Sequence, residues 1–169
     1  IEEYSEFLRK KTYMLANPFE KDNNFLNTNP LKGHKSPKKI VTPASSEKMI
    51  REVENLRTLD CRLLQSKNYE VFFAKAKDIP NILHEIGRLR EITFREVGEG
   101  TNESIDLDKY DQYYRHLFLW DDETNKIAGA YRMGLGCEIY PKYGMDGFDL
   151  NGLFRFEPEL HEMLHKSIE

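Results

Sequence analysis

Ser104-Ile105-Asp106-Leu107-Asp108-Lys109-Tyr110-Asp111 forms an acidic turn between a helical pattern and a predicted β-hairpin. The helical pattern ends within residues 89–98, and the hairpin comprises residues 116–120 and 126–133. Because consecutive elements are usually neighbours in space, the polar ends of helix, turn and hairpin are expected to meet. The sequence therefore predicts a pocket around the turn.

The composition of the chain limits its class. With 169 residues, of which 39% are hydrophobic, the chain can bury one core of ordinary domain size. A formal net charge of −4 provides no general basic field, so nucleic acid is not expected as a partner. The sequence has no apolar run near the roughly 20 residues that cross a bilayer. Two isolated cysteines, Cys61 and Cys137, indicate neither a disulfide framework nor a zinc knuckle, and we expect a cytoplasmic protein.

The first 46 residues differ from the rest in composition. Residues 1–17 carry apolar side chains at helical spacing, and Asn17-Pro18 ends that pattern. Residues 18–46 are rich in Asn, Pro, Lys and Ser, which predicts a flexible linker because little apolar surface is available to bury. Its lysines are either a solvated run of charge or a contact for anionic lipid or an acidic carrier protein. The folded domain is then predicted over residues 47–169.

The first half of that domain is predicted to be helix, strand, helix. A helix begins near Ser45 or Ser46, either of which can cap it. Residues 69–76 are β-branched and aromatic, which is typical of a strand inside a sheet. Asp78-Ile79-Pro80 then opens a second helix, which Gly98 ends.

The second half is predicted to be hairpin, strand, helix. Residues 134–147 are rich in Gly, Pro and Tyr, which is typical of a loop. A short strand is predicted at residues 153–156, and a last helix opens at Pro158. The buried face of that helix is predicted to carry Leu160, Met163, Leu164 and Ile168.

The stretch His161-Glu162-Met163-Leu164-His165 has the H-E-x-x-H spacing of zinc metalloproteases. The apolar positions define the buried face of the helix and place Glu162 and His165 towards solvent. Beyond the motif, only Glu169 could serve as a third ligand. We therefore predict no metal site here, and a zinc protease is the remote alternative.

The carboxylates of the acidic turn lack an EF-hand pattern, because neither Gly nor Glu stands where a calcium loop requires it. On spacing alone, Asp106, Asp108 and Asp111 are compatible with two arrangements. They form a solvated loop, or they pair with Arg90 and Arg132 and bind the ammonium of a substrate.

Four stretches of the chain occur in a characteristic order: Leu89-Arg90 … Phe94-Arg95 … Gly98, Asp106 to Asp111, His116 to Leu119, and Ala128 to Arg132. This succession resembles the GNAT-like N-acyltransferases that make ornithine lipids, glycine lipids and N-acyl amino acids in bacteria. It is more distantly similar to the acyl-homoserine lactone synthases. In a hemolysin-like branch of the family, this domain follows a glycerolipid-acyltransferase-like domain, and residues 1–17 resemble the helical tail of that preceding domain. By the same resemblance, Glu169 aligns with the glutamate that opens the E-x-x-R element of these relatives.

This resemblance implies transfer of a fatty acyl group from an acyl carrier protein or CoA thioester to the amine of an amino acid, in lipid synthesis. It implies no bound cofactor and a cytoplasmic enzyme, with peripheral contact at the inner face of the membrane. It also implies roles for individual residues. Asp106, Asp108, Asp111, Arg90 and Arg132 would shape the acceptor side, Phe94 would wall the acyl or acceptor pocket, and Glu169 would be the catalytic base.

The expected fold is α/β, a partial GNAT-like αβα sandwich with a mixed central sheet, truncated at the C-terminus. Since the chain stops at Glu169, the next strand and the pyrophosphate-binding loop of a GNAT fold are expected to be missing. We therefore expect this piece to be inactive alone, with an open sheet edge that drives self-association. The alternative is a non-catalytic module that binds a carrier protein or the membrane.

Overall fold

The computed structural model describes residues 36–154, 156 and 160–169. Predictions made for residues 1–35 and for Pro158 lie outside this part of the chain. Within it, helices and strands alternate in the order α1, β1, β2, α2, β3, β4, α3, α4. Their bounds are α1 Ser46–Thr58, β1 Arg62–Ser66, β2 Tyr69–Lys75, α2 Pro80–Glu96, β3 Arg115–Asp121, β4 Lys126–Met133, α3 Gly136–Tyr143 and α4 His161–Leu164.

The sheet has the strand order β1-β2-β3-β4, and every pairing among the described strands is antiparallel. The expectation of a mixed sheet is corrected in this respect. Tight turns join β1 to β2 and β3 to β4, and tight turns produce antiparallel neighbours. Between β2 and β3, residues 97–114 carry the chain back along α2, so that Arg115 pairs with Lys75 at the end of β2. The acidic turn belongs to this return path.

The main core lies between one face of the sheet and the two helices α1 and α2. Phe72 and Phe118 stack at 5.4 Å between ring centroids, and Trp120 is buried beside them. Glu52 of α1 accepts the first backbone N–H groups of α2 at Asn81 and Ile82, which fixes one helix against the other. The helix that carries Arg90 is therefore held firmly over the sheet.

Three elements differ from the sequence prediction. Strand β1 was not predicted, because its five residues are all exposed and lack an alternating pattern. Residues 134–147, predicted as a loop, contain α3 despite an interior Pro141. Ile139 of α3 packs with Tyr114 and Phe148 in a second small core, and this packing outweighs local propensity.

The predicted strand at residues 153–156 is also wrong over its described positions, since Leu153 and Phe154 lie in a turn and an irregular segment. The last helix was predicted to bury one apolar face, but Leu160, Met163 and Ile168 are exposed. Helix α4 covers a single turn, so it cannot present a continuous stripe to the core. Backbone of Ile168 instead forms an antiparallel bridge with Leu135.

The described end of the predicted linker is bound to the domain. The N–H groups of Lys38 and Val41 donate to the carbonyls of Asn102 and Ser104, at 2.9 and 3.0 Å. Arg95 donates to the carbonyl of Lys38 at 2.9 Å. In the described part of the chain, no helix is both long and apolar enough to pass through a bilayer.

Candidate functional site

The acidic turn lies directly on α2, because that helix has a glycine at the point of contact. The N–H of Asp106 donates to the carbonyl of Gly87 at 3.1 Å. A Cβ at Gly87 would lie 2.5 Å from Cγ of Leu107, so a larger residue would push the turn away. The close approach places the carboxylates beside Arg90, one helical turn further along α2.

Asp111 is at the centre of the site, and it is fully buried. Its Oδ1 accepts from Arg90 Nη1 at 3.2 Å, and its Oδ2 accepts from Arg132 Nη1 at 3.3 Å. The N–H of Asp108 donates to the same Oδ2 at 2.8 Å. Arginines of α2 and β4 are thus joined through one carboxylate of the connecting loop.

Arg132 extends the network to the surface. Its Nη1 donates to Asp108 Oδ2 at 2.7 Å, and its Nη2 donates to Asp149 Oδ2 at 2.8 Å. The guanidinium lies over the rings of Tyr110 and Tyr114, at 5.6 and 5.4 Å from their centroids. Such contacts hold the planar group in one orientation.

Two carboxylates of the turn differ in their acidity. Burial raises the pKa of Asp106 above its usual value, although Arg90 contacts both of its oxygens at 3.2 and 3.3 Å. Burial alone would also raise the pKa of Asp108, but the hydrogen bond from Arg132 and two backbone N–H groups hold it below the usual range. The pKa values of these two carboxylates, two residues apart, are therefore shifted in opposite directions because their partners differ.

We define the Arg–Asp cluster as Arg90, Arg132, Asp106, Asp108, Asp111 and Asp149. Two guanidinium groups face four carboxylates, which leaves an excess of two negative charges when all are ionised. Burial of His116 lowers its pKa from 6.5 and so disfavours a compensating positive charge there, while its Nε2 donates to the carbonyl of Asp111 at 2.9 Å. The Arg–Asp cluster can therefore attract a cation.

Glu169 lies next to the Arg–Asp cluster rather than within it. Its carboxylate accepts from the N–H groups of Asp149 and Leu150, at 3.2 and 2.6 Å. The hydroxyl of Tyr114 also donates to it, and burial together with this bond raises the pKa of Tyr114, so the hydroxyl stays protonated. Asp149 connects the two groups, since its side chain binds Arg132 and its N–H binds Glu169.

Phe94 lines a separate groove of about 390 Å³ between α2 and β4. Arg90 lines the same groove and belongs to the Arg–Asp cluster, so the two features adjoin. The structure thus brings together five of the predicted site residues directly. Glu169 is linked to the Arg–Asp cluster through Asp149, whose N–H donates to it. Phe94 lies one helical turn from Arg90 on α2.

Sequence reasoning missed two residues of this site, Asp149 and Tyr114. Asp149 lies in a short 3₁₀ segment, Asp149–Gly152, far along the chain from the acidic turn. No spacing rule connects it to Arg132. Tyr114 lies three residues after the turn, and its position among six tyrosines between residues 110 and 143 was the available signal.

The H-E-x-x-H stretch lies apart from these groups. His161 is half-buried, whereas Glu162 and His165 are exposed. Among the described residues, no three His, Cys, Asp or Glu side chains are grouped as ligands for a metal ion. The carboxylates of the acidic turn instead face arginines and backbone N–H groups.

Residues 89–169 match the family of the Acetyltransferase (GNAT) domain. The antiparallel sheet and its helices agree with the α/β architecture that this match indicates. The predicted fold class is confirmed. No solved structure matches the chain.

Two curated relatives are similar to 77% of the chain. The chain is 34% identical over 135 residues to a Glycine N(alpha)-acyltransferase of Bacteroides thetaiotaomicron, covering 77% of this chain and 40% of the relative. A Glycine N(alpha)-acyltransferase of Phocaeicola vulgatus is 35% identical over 135 residues, with 77% and 41% covered. The chain therefore spans about two fifths of the length of these relatives. The resemblance to GNAT N-acyltransferases is confirmed, while the hemolysin-like branch, the preceding domain and the individual residue roles stay predictions.

Proposed function

We propose that this chain forms the acceptor side of an N-acyltransferase, which transfers a fatty acyl group from a thioester to the amino group of an amino acid. Glycine is the proposed acceptor, since both curated relatives carry that amino acid in their names. The observation that carries the proposal is the Arg–Asp cluster, in which carboxylates outnumber guanidinium groups.

The excess negative charge suits a substrate ammonium. Asp108 and Asp149 are its accessible members, with 42% and 47% of their side chains exposed. Asp111 is buried behind them and holds both arginines in place. An incoming ammonium would therefore meet carboxylates first, and charge-assisted hydrogen bonds would orient it.

An amine attacks a thioester only after it loses a proton, so a base is needed. We propose Glu169 for this role, because it lies next to Asp149 and its carboxylate is oriented by three donors. Tyr114 is then a positioning residue for Glu169. The oxyanion that forms on the thioester carbonyl requires fixed donors such as backbone N–H groups.

The proposed donor is an acyl carrier protein thioester, with acyl-CoA, the donor of the GNAT class, as the other candidate. Lipid synthesis, a cytoplasmic location and peripheral membrane contact belong to the same proposal. The edge of β4 is open among the described strands, and self-association there is also proposed.

The test uses the 169-residue chain and, in parallel, the complete reading frame that encodes it. Each protein is incubated with an acyl carrier thioester or acyl-CoA and with glycine, ornithine or a mixture of amino acids. Mass spectrometry of the extracts is expected to show N-acyl glycine from at least one of the two proteins. Absence of every N-acyl amino acid from both would refute the reaction.

The role of the cluster is tested with Asp108→Asn and Asp149→Asn. Each is expected to raise the KM for the amine by about tenfold, since each removes one charge-assisted hydrogen bond to the ammonium. Asp122→Asn is the matched control, because Asp122 is also an exposed partner of an arginine, Arg57, but lies at the far end of β3. An equal change in all three variants would exclude a specific role for the Arg–Asp cluster.

A further inference from the structure

The segment that precedes α1 is extended because of its sequence. Residues 38–44 follow Pro37 and contain the β-branched run Ile40-Val41-Thr42, with a second proline at position 43. β-branched side chains and a following proline both favour extended backbone over helix. In the structure these residues form neither helix nor strand. We call residues 38–44 the strap.

The strap lies against the loop that leads from α2 into the acidic turn. Three successive carbonyls of this loop each accept a hydrogen bond. The N–H of Lys38 donates to the carbonyl of Asn102 at 2.9 Å, and the N–H of Val41 donates to the carbonyl of Ser104 at 3.0 Å. Arg95 Nη2 donates to the carbonyl of the residue between them. The backbone that enters the acidic turn is therefore fixed at three consecutive positions.

Arg95 connects the strap and this loop to α2. Its Nη1 donates to the carbonyl of Lys38 at 2.9 Å, and its Nε donates to buried Glu91 of the same helix at 2.6 Å. A guanidinium presents its donors in a planar fork, so one side chain serves helix, strap and loop together. A lysine would keep the positive charge beside Glu91 but would lose the fork.

The path of this loop decides where the carboxylates of the acidic turn lie. Ser104, which the strap holds, stands two residues before Asp106. The N–H of Asp106 donates to the carbonyl of Gly87 at 3.1 Å, and its carboxylate contacts Arg90 at 3.2 Å. Because only one residue separates Ser104 from Asp106, a displacement at Ser104 is carried to Asp106 and to its contact with Arg90.

We propose that the strap positions the acidic turn for the amine acceptor, and that Val41 and Arg95 are the positioning residues. The inference rests on the proposed function, and it extends the acceptor site to a segment outside the domain predicted from the sequence. With the strap bound, the carboxylates keep one arrangement in which to receive an ammonium. When the strap is released, the turn adopts other paths and the ammonium loses its oriented partners.

Single substitutions in the 169-residue chain test the strap. Val41→Pro removes the N–H that holds Ser104, and Arg95→Lys removes the bonds to two carbonyls while a positive charge stays beside Glu91. Thr42→Pro is the matched control, because Thr42 is exposed and its N–H has no acceptor among the described residues. Val41→Ala is a second control, since it shortens the side chain and keeps the N–H.

The position of the turn can be measured without turnover. Burial raises the pKa of Asp106 from 3.8, so a turn that leaves its place exposes this carboxyl to water. Carbon-detected NMR is expected to show the pKa of Asp106 shifted down towards 3.8 in Val41→Pro and Arg95→Lys, and unchanged in Thr42→Pro and Val41→Ala. Glu138, which pairs with Arg115 away from the strap, is expected to titrate alike in all variants. Lower stability by itself would not move the titration of Asp106 in the folded protein.

The kinetic measurement uses whichever protein forms N-acyl glycine, the 169-residue chain or the product of the complete reading frame. Val41→Pro and Arg95→Lys are expected to raise the KM for glycine about fivefold, the value for one hydrogen bond. The kcat should change little, because Glu169 is held by Tyr114 and by backbone N–H groups of another segment. A smaller folded fraction would instead lower the apparent kcat and leave KM unchanged.

The outcomes separate the strap from the proposed reaction. A downward shift at Asp106 with a raised KM, in Val41→Pro and Arg95→Lys but in neither control, would support the inference. If Val41→Pro does not fold, Arg95→Lys decides. An unchanged titration of Asp106, an equal shift in Thr42→Pro, or an unchanged KM would overturn the inference, even if N-acyl glycine is produced. The expected shift at Asp106 without any N-acyl amino acid from either protein would support the strap and refute the proposed reaction.

Discussion

Two fully buried carboxylates, Glu91 and Asp111, differ in how the surrounding chain neutralises them. Glu91 accepts from Arg95 Nε at 2.6 Å and from the hydroxyl and N–H of Thr101 at 2.6 and 3.1 Å. Its partners lie within ten residues, and its charge is balanced by one arginine. Glu91 therefore acts as a local clamp that closes the start of the loop after α2.

Asp111 has a different environment. Its contacts to Arg90 and Arg132 are longer, at 3.2 and 3.3 Å, and they join elements that are distant in sequence. Three further carboxylates share the same two arginines, so the charge is unbalanced. The difference indicates that the clamp at Glu91 is satisfied without a ligand, whereas the Arg–Asp cluster retains capacity to bind a cation.

The largest effect is expected from Arg132→Met, which removes the shared cation from Asp108, Asp111 and Asp149. The free energy of unfolding is expected to fall by about 3–5 kcal/mol, because buried Asp111 then keeps only Arg90, which Asp106 shares, and no cation separates it from Asp108 and Asp149. Urea denaturation at neutral pH measures the change.

Arg95→Met is the matched variant at the clamp. Glu91 keeps both donors of Thr101 when Arg95 is lost, so this variant should cost less than Arg132→Met. A loss at Arg95 equal to or larger than the loss at Arg132 would contradict the comparison.

A smaller effect is expected when Glu91 or Asp111 is replaced by its amide, which removes the charge and keeps the shape of the side chain. Glu91→Gln should lower the free energy of unfolding by about 1–3 kcal/mol, because one amide oxygen cannot accept every donor that the carboxylate accepts. Asp111→Asn should cost less, since it also relieves repulsion among the four carboxylates. Denaturation of both variants, with exposed Glu162→Gln as control, measures the order. The reverse order would show that the cluster has no excess charge at neutral pH.

Much of the site could be predicted from the sequence, because its residues stand at the ends of regular elements. Helical spacing placed Arg90 on α2, strand spacing placed Arg132 on β4, and the connection between them carries Asp106, Asp108 and Asp111. Spacing alone did not predict that these groups pair, since it favours a solvated loop. The deciding contact is Gly87 against Leu107, which depends on the path of the loop in space.

The parts that could not be predicted depend on contacts between distant segments. Asp149 reaches Arg132 only because α3 turns the chain back, and α3 forms around Ile139 against the signals of Gly136 and Pro141. Strand β1 is stabilised by its pairing with β2 rather than by its own pattern. Local residue propensities therefore predict neither α3 nor β1.

A moderate effect of pH is expected from His116, whose pKa is lowered below 6.5 by burial although Asp111 favours the charged form. The unfolded chain therefore takes up a proton first as the pH falls below 6.5, and stability decreases from there down to the folded pKa. The slope is at most about 1.4 kcal/mol per pH unit. His116→Gln retains a donor to the carbonyl of Asp111 and cannot titrate, so urea denaturation should show a flatter profile. Equal slopes in both proteins would contradict neutral burial of His116.

The smallest effect is expected within the acidic turn itself. Burial raises the pKa of Asp106 above 3.8. Burial acts in the same direction on Asp108, but the hydrogen bond from Arg132 holds the pKa of Asp108 below 3.8. As the pH falls, Asp106 binds a proton more tightly in the folded state than in the unfolded chain, which favours folding. Asp108 has the opposite effect, because the stability that it supplies is lost as the pH falls below 3.8, its pKa in the unfolded chain. The two contributions oppose each other, so the Arg–Asp cluster adds little to acid unfolding.

The clamp at Glu91 should then account for more of the acid sensitivity. Burial alone would raise the pKa of Glu91, but Thr101 and Arg95 hold it below 4.5, and its stabilisation is lost as the pH falls from about 4.5 through the folded value. Carbon-detected NMR of the carboxyl groups is expected to show Asp106 titrating before Asp108. Glu91→Gln should flatten the acid limb of the stability curve more than Asp108→Asn does. If Asp108→Asn flattened it more, the charge imbalance of the cluster would have to be compensated by a cation already bound among its carboxylates.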